Sequence, residues 1–419
     1  MFLVPTFATC QFLRDLLKIG RCAHFCHLPI FKRFVKNLDM SQLSPNPFKF
    51  GNPVEGDYYL PRPGLSATVR QFLENRIHTV LMGPRRFGKT SFVLNLLRML
   101  EKEGYVCFFV DIFNITSHRD FLHQLLRAIE SKKTLASRFK SWLHSVKSIV
   151  PKLTADFESV TGNSSFGLTI SNLVEADTQK AIQDLLEGLS GFGEKIIVVI
   201  DEFQKISEME DKGWLEATLR THIQQLKNVS FLFTGSRKSL ISEMLNNPAR
   251  PLYRSCQIID FPDFGPEFTD WIVNRFLTVG IDCERKAIEH LRTLVQHTPN
   301  YVQMVCFQLV VQARKKISSH DVEEVLETVA RQNAYAYQTL LNSLTLSQQR
   351  ALRLAANEKQ SLFQKSLLAK YEIASSPALH SSIKALKIKG ILDEEGTTKG
   401  SVLFDDPLFA FWLRLSFHR

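Results

Sequence analysis

"MGPRRFGKTS", residues Met82–Ser91, closes an apolar run with two glycines, two arginines, a proline and a lysine in ten positions. Gly83, Gly88, Lys89 and Thr90 fit G-x-x-x-x-G-K-[ST]. The preceding "IHTVLM" (Ile77–Met82) reads as a buried strand, and "SFVLNLLRMLEKEG" after it carries apolar residues at helical spacing. Between strand and helix, such glycines let backbone N–H groups turn inward around phosphate oxygens, and the helix N-terminus adds partial positive charge. Lys89 would then reach the β- and γ-phosphates of a nucleoside triphosphate, and Thr90 would offer its hydroxyl to Mg2+. Gly83, Pro84, Arg85, Arg86, Phe87, Gly88, Lys89, Thr90 and Ser91 are the candidate cradle. Arg85 and Arg86 are expected to face solvent or acidic neighbours.

The second half of a nucleotide site is "KIIVVIDEFQKI", in which five apolar residues end in Asp201 and Glu202. Ligands of open α/β sheets bind at the carboxyl edges of the strands. There Asp201 can hold Mg2+ through its water shell while Glu202 polarises the attacking water. "FLFTGSRKS" ends a further strand, so Thr234, Ser236 and Arg237 could sense the γ-phosphate. Arg237 is the stronger stabiliser of developing charge, because its guanidinium offers several fixed donors. Arg250 and Arg254, in "NNPARPLYRS", read equally as lid or trans-acting arginines and as solvated surface charges.

Working outward, "YVCFFVDIF", "IIVVI", "VSFLFT" and "CQIIDF" join the first strand, with amphipathic stretches between them. That is an α/β fold with a parallel sheet, of the P-loop NTPase kind. The region from about 135 to 177 reads as an insertion, and from Pro266 to about Gln338 only helical patterns occur, predicting a helical lid. After "LNSLTLSQQR" the order is helix, short helix "QKSLLAKY", turn "EIASS", a helix from Pro377, then a two-strand ribbon with Gly396 and Gly400 at its tip. This is the layout of a winged helix. The expected organisation is an N-terminal extension (1–45), the ATPase α/β domain (46–264), the lid (265–344) and the winged-helix domain (345–419).

The chain has 419 residues and a net charge of +10, which favours acidic partners without defining a site. Seven cysteines without a dense pattern point to a reducing compartment, with the cytoplasm as the expected location. "CAHFCH" gathers Cys22, His24, Cys26 and His27 but lacks the second, distant pair of a zinc finger. The first 39 residues hold six Lys/Arg against two Asp, with no apolar stretch long enough to span a membrane. Two readings stand: a basic amphipathic extension for targeting or membrane contact, or a start placed too early, Met40 being the true first residue. The second is preferred.

The lead-in "NPFKFGNPVEGDYYLPRP", the two phosphate-site motifs, "FTGSRKSLISEM", "TPNYVQMVCFQL" and "FDDPLFAFWLR" together resemble the archaeal-type ATPases, AAA+-related P-loop proteins grouped with the STAND signalling ATPases. The resemblance runs from about Asn46 to Leu415. It implies an ATP-binding core with a lid and a C-terminal winged helix. It also implies that Lys89 and Thr90 contact phosphate and Mg2+, that Asp201 and Glu202 form the Walker B pair, and that Arg237 is the arginine after the sensor strand. Tyr59 and Arg62 would touch adenine. The acidic residue usual three places after that arginine is absent, Leu65 standing there, and the long effector repeats of large STAND proteins are missing.

From Thr345 onward 11 Lys/Arg face 7 Asp/Glu. On the helix "PALHSSIKALKIKG", Ala378, Leu379, Ile383, Leu386 and Ile388 are the expected buried face, and His380, Ser381, Lys384 and Lys387 the exposed one. No arginine or asparagine is there for bidentate base reading, and "LDEEG" and "FDDP" would repel a phosphate backbone. The leading expectation is an ATP-hydrolysing switch. The rivals are a DNA-binding initiator or regulator controlled by ATP, and a slow ATPase whose winged helix docks a protein; a nucleotide-dependent homo-oligomer is a further candidate assembly.

Overall fold

The computed structural model describes residues 45–132, 174–193, 195–210, 213–358, 361–393 and 402–417. The "CAHFCH" cluster, most of the expected insertion and the wing-tip glycines lie outside them. Contacts group the chain into two units, Met1–Asn46 and Pro47–Arg419, and the sheet belongs to the second.

Pro63 opens α1 (Pro63–Glu74), after which β1 (Thr79–Met82) runs into the glycine loop and α2 (Lys89–Lys102). β2 (Val106–Asp111) leads to α3 (His118–Glu130), whose start is fixed by a capping box between Ser117 and Asp120. α4 (Glu175–Gly188) follows, then β3 (Ile196–Asp201), α5 (Trp214–Gln225), β4 (Val229–Gly235), α6 (Lys238–Asn246) and β5 (Gln257–Asp260). All five strands are parallel, in the order β2-β3-β4-β1-β5. β3 and β4 are buried throughout, because the sheet is covered on both faces. The two-residue strand period sorts their side chains. Ile196, Val198 and Ile200 pack into one core with α3–α6, while Ile197 and Val199 join Leu81 and Leu232 beneath α1 and α2.

The lid comprises α7 (Pro266–Leu277), β6 (Asp282–Cys283), α8 (Arg285–Leu294), α9 (Pro299–Val311), β7 (Lys316–Ile317), α10 (Ser319–Gln332) and α11 (Ala334–Asn342). The sequence predicts helical patterns alone here. Instead β6 and β7 pair in parallel, a two-residue contact too short for hydrophobic periodicity to register. α12 (Leu346–Asn357), α13 (Lys365–Lys370), α14 (Ser376–Ile388) and α15 (Pro407–Phe417) complete the chain, with one antiparallel bridge, Leu392 to Phe404, after α14. This C-terminal region is consistent with a winged helix.

Two sequence expectations change. The sequence pattern does not single out α15 as an element, yet Leu408, Phe409, Trp412 and Leu413 enter one continuous hydrophobic core shared with the lid. On α14 Leu379, Ile383 and Leu386 are buried, but Ile388 is 68% exposed and Ser382 takes a buried place. The helix ends at Ile388 and Gly390 turns left-handed there, carrying the last residues off the apolar stripe. Among the described residues no helix is long and apolar enough to cross a membrane.

Candidate nucleotide site

β1 sits between β4 and β5 in the sheet, so the loop at its carboxyl end opens between those two strands. Gly83 is pressed between these neighbours. Its N–H donates to the Gly235 carbonyl at 3.2 Å, and a Cβ at Gly83 would lie 2.7 Å from Cβ of Phe261. Gly88 has φ +92°, the left-handed conformation that turns the chain into α2 at no steric cost.

This turn drives Lys89 inward. Its side chain is 5% exposed, and Nζ donates to the carbonyls of Gly83 and Pro84, each at 2.8 Å. Burial pushes the ammonium below its ordinary pKa, and the Glu202 and Asp201 carboxylates oppose that shift. An ammonium has three donors, and two bond the loop itself. Beside it the Thr90 hydroxyl donates to Asp201 Oδ2 at 2.8 Å, and Thr234 donates to Oδ1 of the same carboxylate. Burial raises the pKa of Asp201, and the two hydroxyls hold it down. Glu202 follows with φ +61°, a strained conformation for a side chain with a Cβ, which turns it away from the strand and toward the cavity.

That cavity, about 670 Å3, takes in the glycine loop, Glu202, the lead-in segment and the lid. A volume of this order suits a nucleotide-sized ligand. Tyr59 and Arg62 line it. Arg62 lies over the rings of Phe264 (3.5 Å) and Phe261 (4.3 Å), and one of its nitrogens donates to Pro262. Burial takes the guanidinium down to about 10 and the Tyr59 phenol up to about 12. Nη2 of Arg62 is buried without a hydrogen-bond partner.

Other predicted residues take different places. The Ser91 hydroxyl accepts from Val54 N–H at 3.0 Å, pinning the lead-in to α2, and the Phe87 ring packs into the core beneath that helix. Arg85 meets an acidic neighbour, Asp405, at 3.8 Å, whereas Arg86, φ +65°, donates to the Tyr301 hydroxyl of the lid. Arg237 pairs with Glu208 at 2.9 Å and borders a smaller neighbouring cavity of about 160 Å3. Arg250 is no solvated surface charge: it pairs with Glu216, a carboxylate 1% exposed. Arg254 lies against the Tyr253 ring.

Sequence reasoning missed Tyr301, Tyr337 and Asp406. All three line the large cavity, Asp406 accepting from Tyr301 at 2.7 Å and from Tyr337 at 3.0 Å. The carboxylates of "FDDP" face a loop arginine and the lid phenols, contacts that no local pattern in the sequence marks.

Residues 69–267 match the family model described as an ATPase domain predominantly from Archaea. The fold is that of a P-loop NTPase, and the matched segment, a little under half of the chain, is similar to that archaeal-type ATPase domain. An uncharacterized ATP-binding protein of Methanocaldococcus jannaschii is 26% identical over 226 residues, 50% of this chain and 60% of the relative. A second from that organism is 24% identical over 59% of this chain and 67% of its own length. Among solved structures, a Walker-type ATPase of Pyrococcus abyssi matches with TM-score 0.58 at 21% identity, covering 88% of this chain and 99% of that one. The ORC2 protein of Aeropyrum pernix, solved as ADPNP–ADP complexes, matches at 0.51 and 14%, over 85% and 94% of the two chains. These two likenesses are of fold.

Proposed function

We propose that this protein binds ATP between sheet and lid, hydrolyses it to ADP and phosphate with Mg2+, and works as a nucleotide-dependent switch. One observation carries the reading: a buried lysine inside a left-turning glycine loop, two of its donors used locally, opposite a carboxylate pair on the next strand but one. The third donor of Lys89 is available to a phosphate oxygen, and Tyr59 and Arg62 in the cavity wall are the residues placed to meet the base.

Thr90 and Asp201 supply hard oxygen donors beside one another. Among the described residues no three His, Cys, Asp or Glu side chains gather, which fits Mg2+ held by one or two protein oxygens, water and phosphate. Bound there, the ion would neutralise charge developing on the phosphoryl oxygens. Glu202 is the residue that orients and takes a proton from the attacking water. The switch reading is supported by the contacts of Asp405 and Asp406. They tie the C-terminal region to Arg85 and, through Tyr301, to Arg86, so a ligand competing for those arginines has differential contact with two arrangements.

Calorimetric titration with Mg·ATP tests the reading. The wild-type chain should bind, Lys89→Ala should lose binding by about two orders of magnitude, as removal of a charge-assisted contact from a dry site implies, and Glu202→Gln should bind but not turn over. Undiminished uptake by Lys89→Ala would overturn it. A second reading, DNA contact by α14, is favoured by the exposure of His380, Ser381 and Lys384. It requires salt-steep binding that falls when Lys384→Ala and Lys387→Ala are combined; unchanged binding removes it.

A further inference from the structure

The carboxylate of Glu202 is held in place rather than left to swing. Gln204, on the short 3-10 segment Phe203–Glu208, is 1% exposed, and its amide Nε2 donates to Glu202 Oε2. Ser236, just past β4, donates from Oγ to the same oxygen at 3.0 Å. The two holders are tied to each other. Ser236 N–H donates to Gln204 Oε1 at 3.3 Å, and Gln204 Nε2 lies 3.4 Å from Ser236 Oγ. Gln204 thus uses both ends of its amide in one small ring that joins the end of β3 to the end of β4.

The backbone is shaped for this ring. A Cβ at Gly235 would lie 2.5 Å from Oε1 of Gln204 and 2.2 Å from Cδ1 of Ile241, so only glycine leaves room for the amide against β4. The left-handed φ of Glu202 aims the side chain at the ring, at the cost of conformational strain that the ring's bonds offset.

We infer that Gln204 and Ser236 are positioning residues for the proposed hydrolysis: together they fix one oxygen of Glu202 and leave its other oxygen, Oε1, as the base toward the cavity. The inference rests on the ATPase reading above. A free carboxylate on a flexible side chain samples several rotamers, and a pinned one presents a single lone-pair direction, which matters for proton transfer and not for nucleotide binding.

Four proteins are compared: wild type, Gln204→Leu, Ser236→Ala and Glu202→Gln, with Gln204→Leu also placed on Glu202→Gln. For each, steady-state turnover and binding of a non-hydrolysable ATP analogue are measured. The expected result is kcat lowered roughly ten- to hundred-fold in Gln204→Leu, the range of a mispositioned acid–base group, and less in Ser236→Ala. Analogue affinity should stay within about two-fold. In the Glu202→Gln background, Gln204→Leu should lower turnover no further, because the group it positions is already gone; a purely structural role would add its loss there. If Gln204→Leu does not fold, Ser236→Ala carries the same comparison. Unchanged kcat, increased kcat, or additivity overturns the inference while leaving the ATPase reading intact. Wild-type protein that neither binds nor hydrolyses ATP overturns the ATPase reading instead.

Discussion

Tyr301→Phe removes one oxygen and cuts the link between the glycine loop and the C-terminal region. That hydroxyl accepts from Arg86 and donates to Asp406 Oδ1 at 2.7 Å. Asp406 is not orphaned by the change, since it still accepts from Tyr337 at 3.0 Å and from Leu408 N–H at 2.9 Å. Arg86 keeps its place over the ring, 5.0 Å from the centroid. Hydrogen bonds to charged groups each contribute about 1.5–3 kcal/mol, and the retained partners put the net loss near the lower end, about 2 kcal/mol. At about 1.4 kcal/mol per factor of ten, the contact between loop, lid and α15 should open roughly thirty-fold more often. Native-state hydrogen exchange reads this directly: amides of Leu408–Leu413 and of α9 should exchange about thirty-fold faster, with β3 and β4 unchanged. Saturating wild type with a non-hydrolysable ATP analogue should alter protection in the same segments, and in Tyr301→Phe that response should be largely abolished. Exchange within two-fold of wild type, or acceleration spread evenly over the sheet, would refute the idea that this hydroxyl couples loop to C-terminal region.

Two stability predictions follow from groups outside the cavity. Arg250→Met takes the Arg250 cation from Glu216, a carboxylate 1% exposed, and should cost up to about 3 kcal/mol; adding Glu216→Leu should recover most of it, visible in denaturant midpoints. His78 accepts from Phe231 N–H on Nδ1 and meets the Ile223 carbonyl through Nε2, so it is folded as the neutral Nε2–H tautomer. Burial depresses its pKa below 6.5. The unfolded chain binds the proton more readily, so the stability this histidine contributes is complete above about pH 6.5 and is lost as pH falls through the folded value. His78→Gln should flatten the slope of unfolding free energy against pH just below about 6.5; an unchanged slope would show that other groups produce it.

What the sequence made legible was what neighbouring residues decide. Gly83, Gly88, Lys89 and Thr90 lie within eight positions, so their spacing already fixes a turn into a helix, and five apolar runs ending at polar edges fix five parallel strands. Asp201 could be placed opposite Thr90 because Asp201 ends one central strand and the loop leading to Thr90 leaves the carboxyl end of another, and the structure sets their side chains 2.8 Å apart. The partners that periodicity could not supply are those joined by chain reversal. Arg86 meets Tyr301 215 positions away, and Tyr301 meets Asp406 after another 105. Nothing local in "FDDP" distinguishes a carboxylate repelling a backbone from one held by two phenols.

Gln204 shows the same limit at shorter range. In "DEFQ" it reads as a polar residue after a strand, and its burial depends on Gly235, thirty-one positions on, lacking a side chain. The glycine therefore has a physical reason independent of the phosphate loop. Filling its place displaces the amide, and the amide holds the carboxylate. Gly235→Ala should thus imitate Gln204→Leu in kcat, because the hydrogen bonds its Cβ displaces lie on the β4 side of Glu202 and not on the α2 side, where Lys89 bonds the loop carbonyls. Steady-state turnover beside analogue binding checks this, and a Gly235→Ala protein that keeps wild-type kcat would show that the amide holds its place without the glycine.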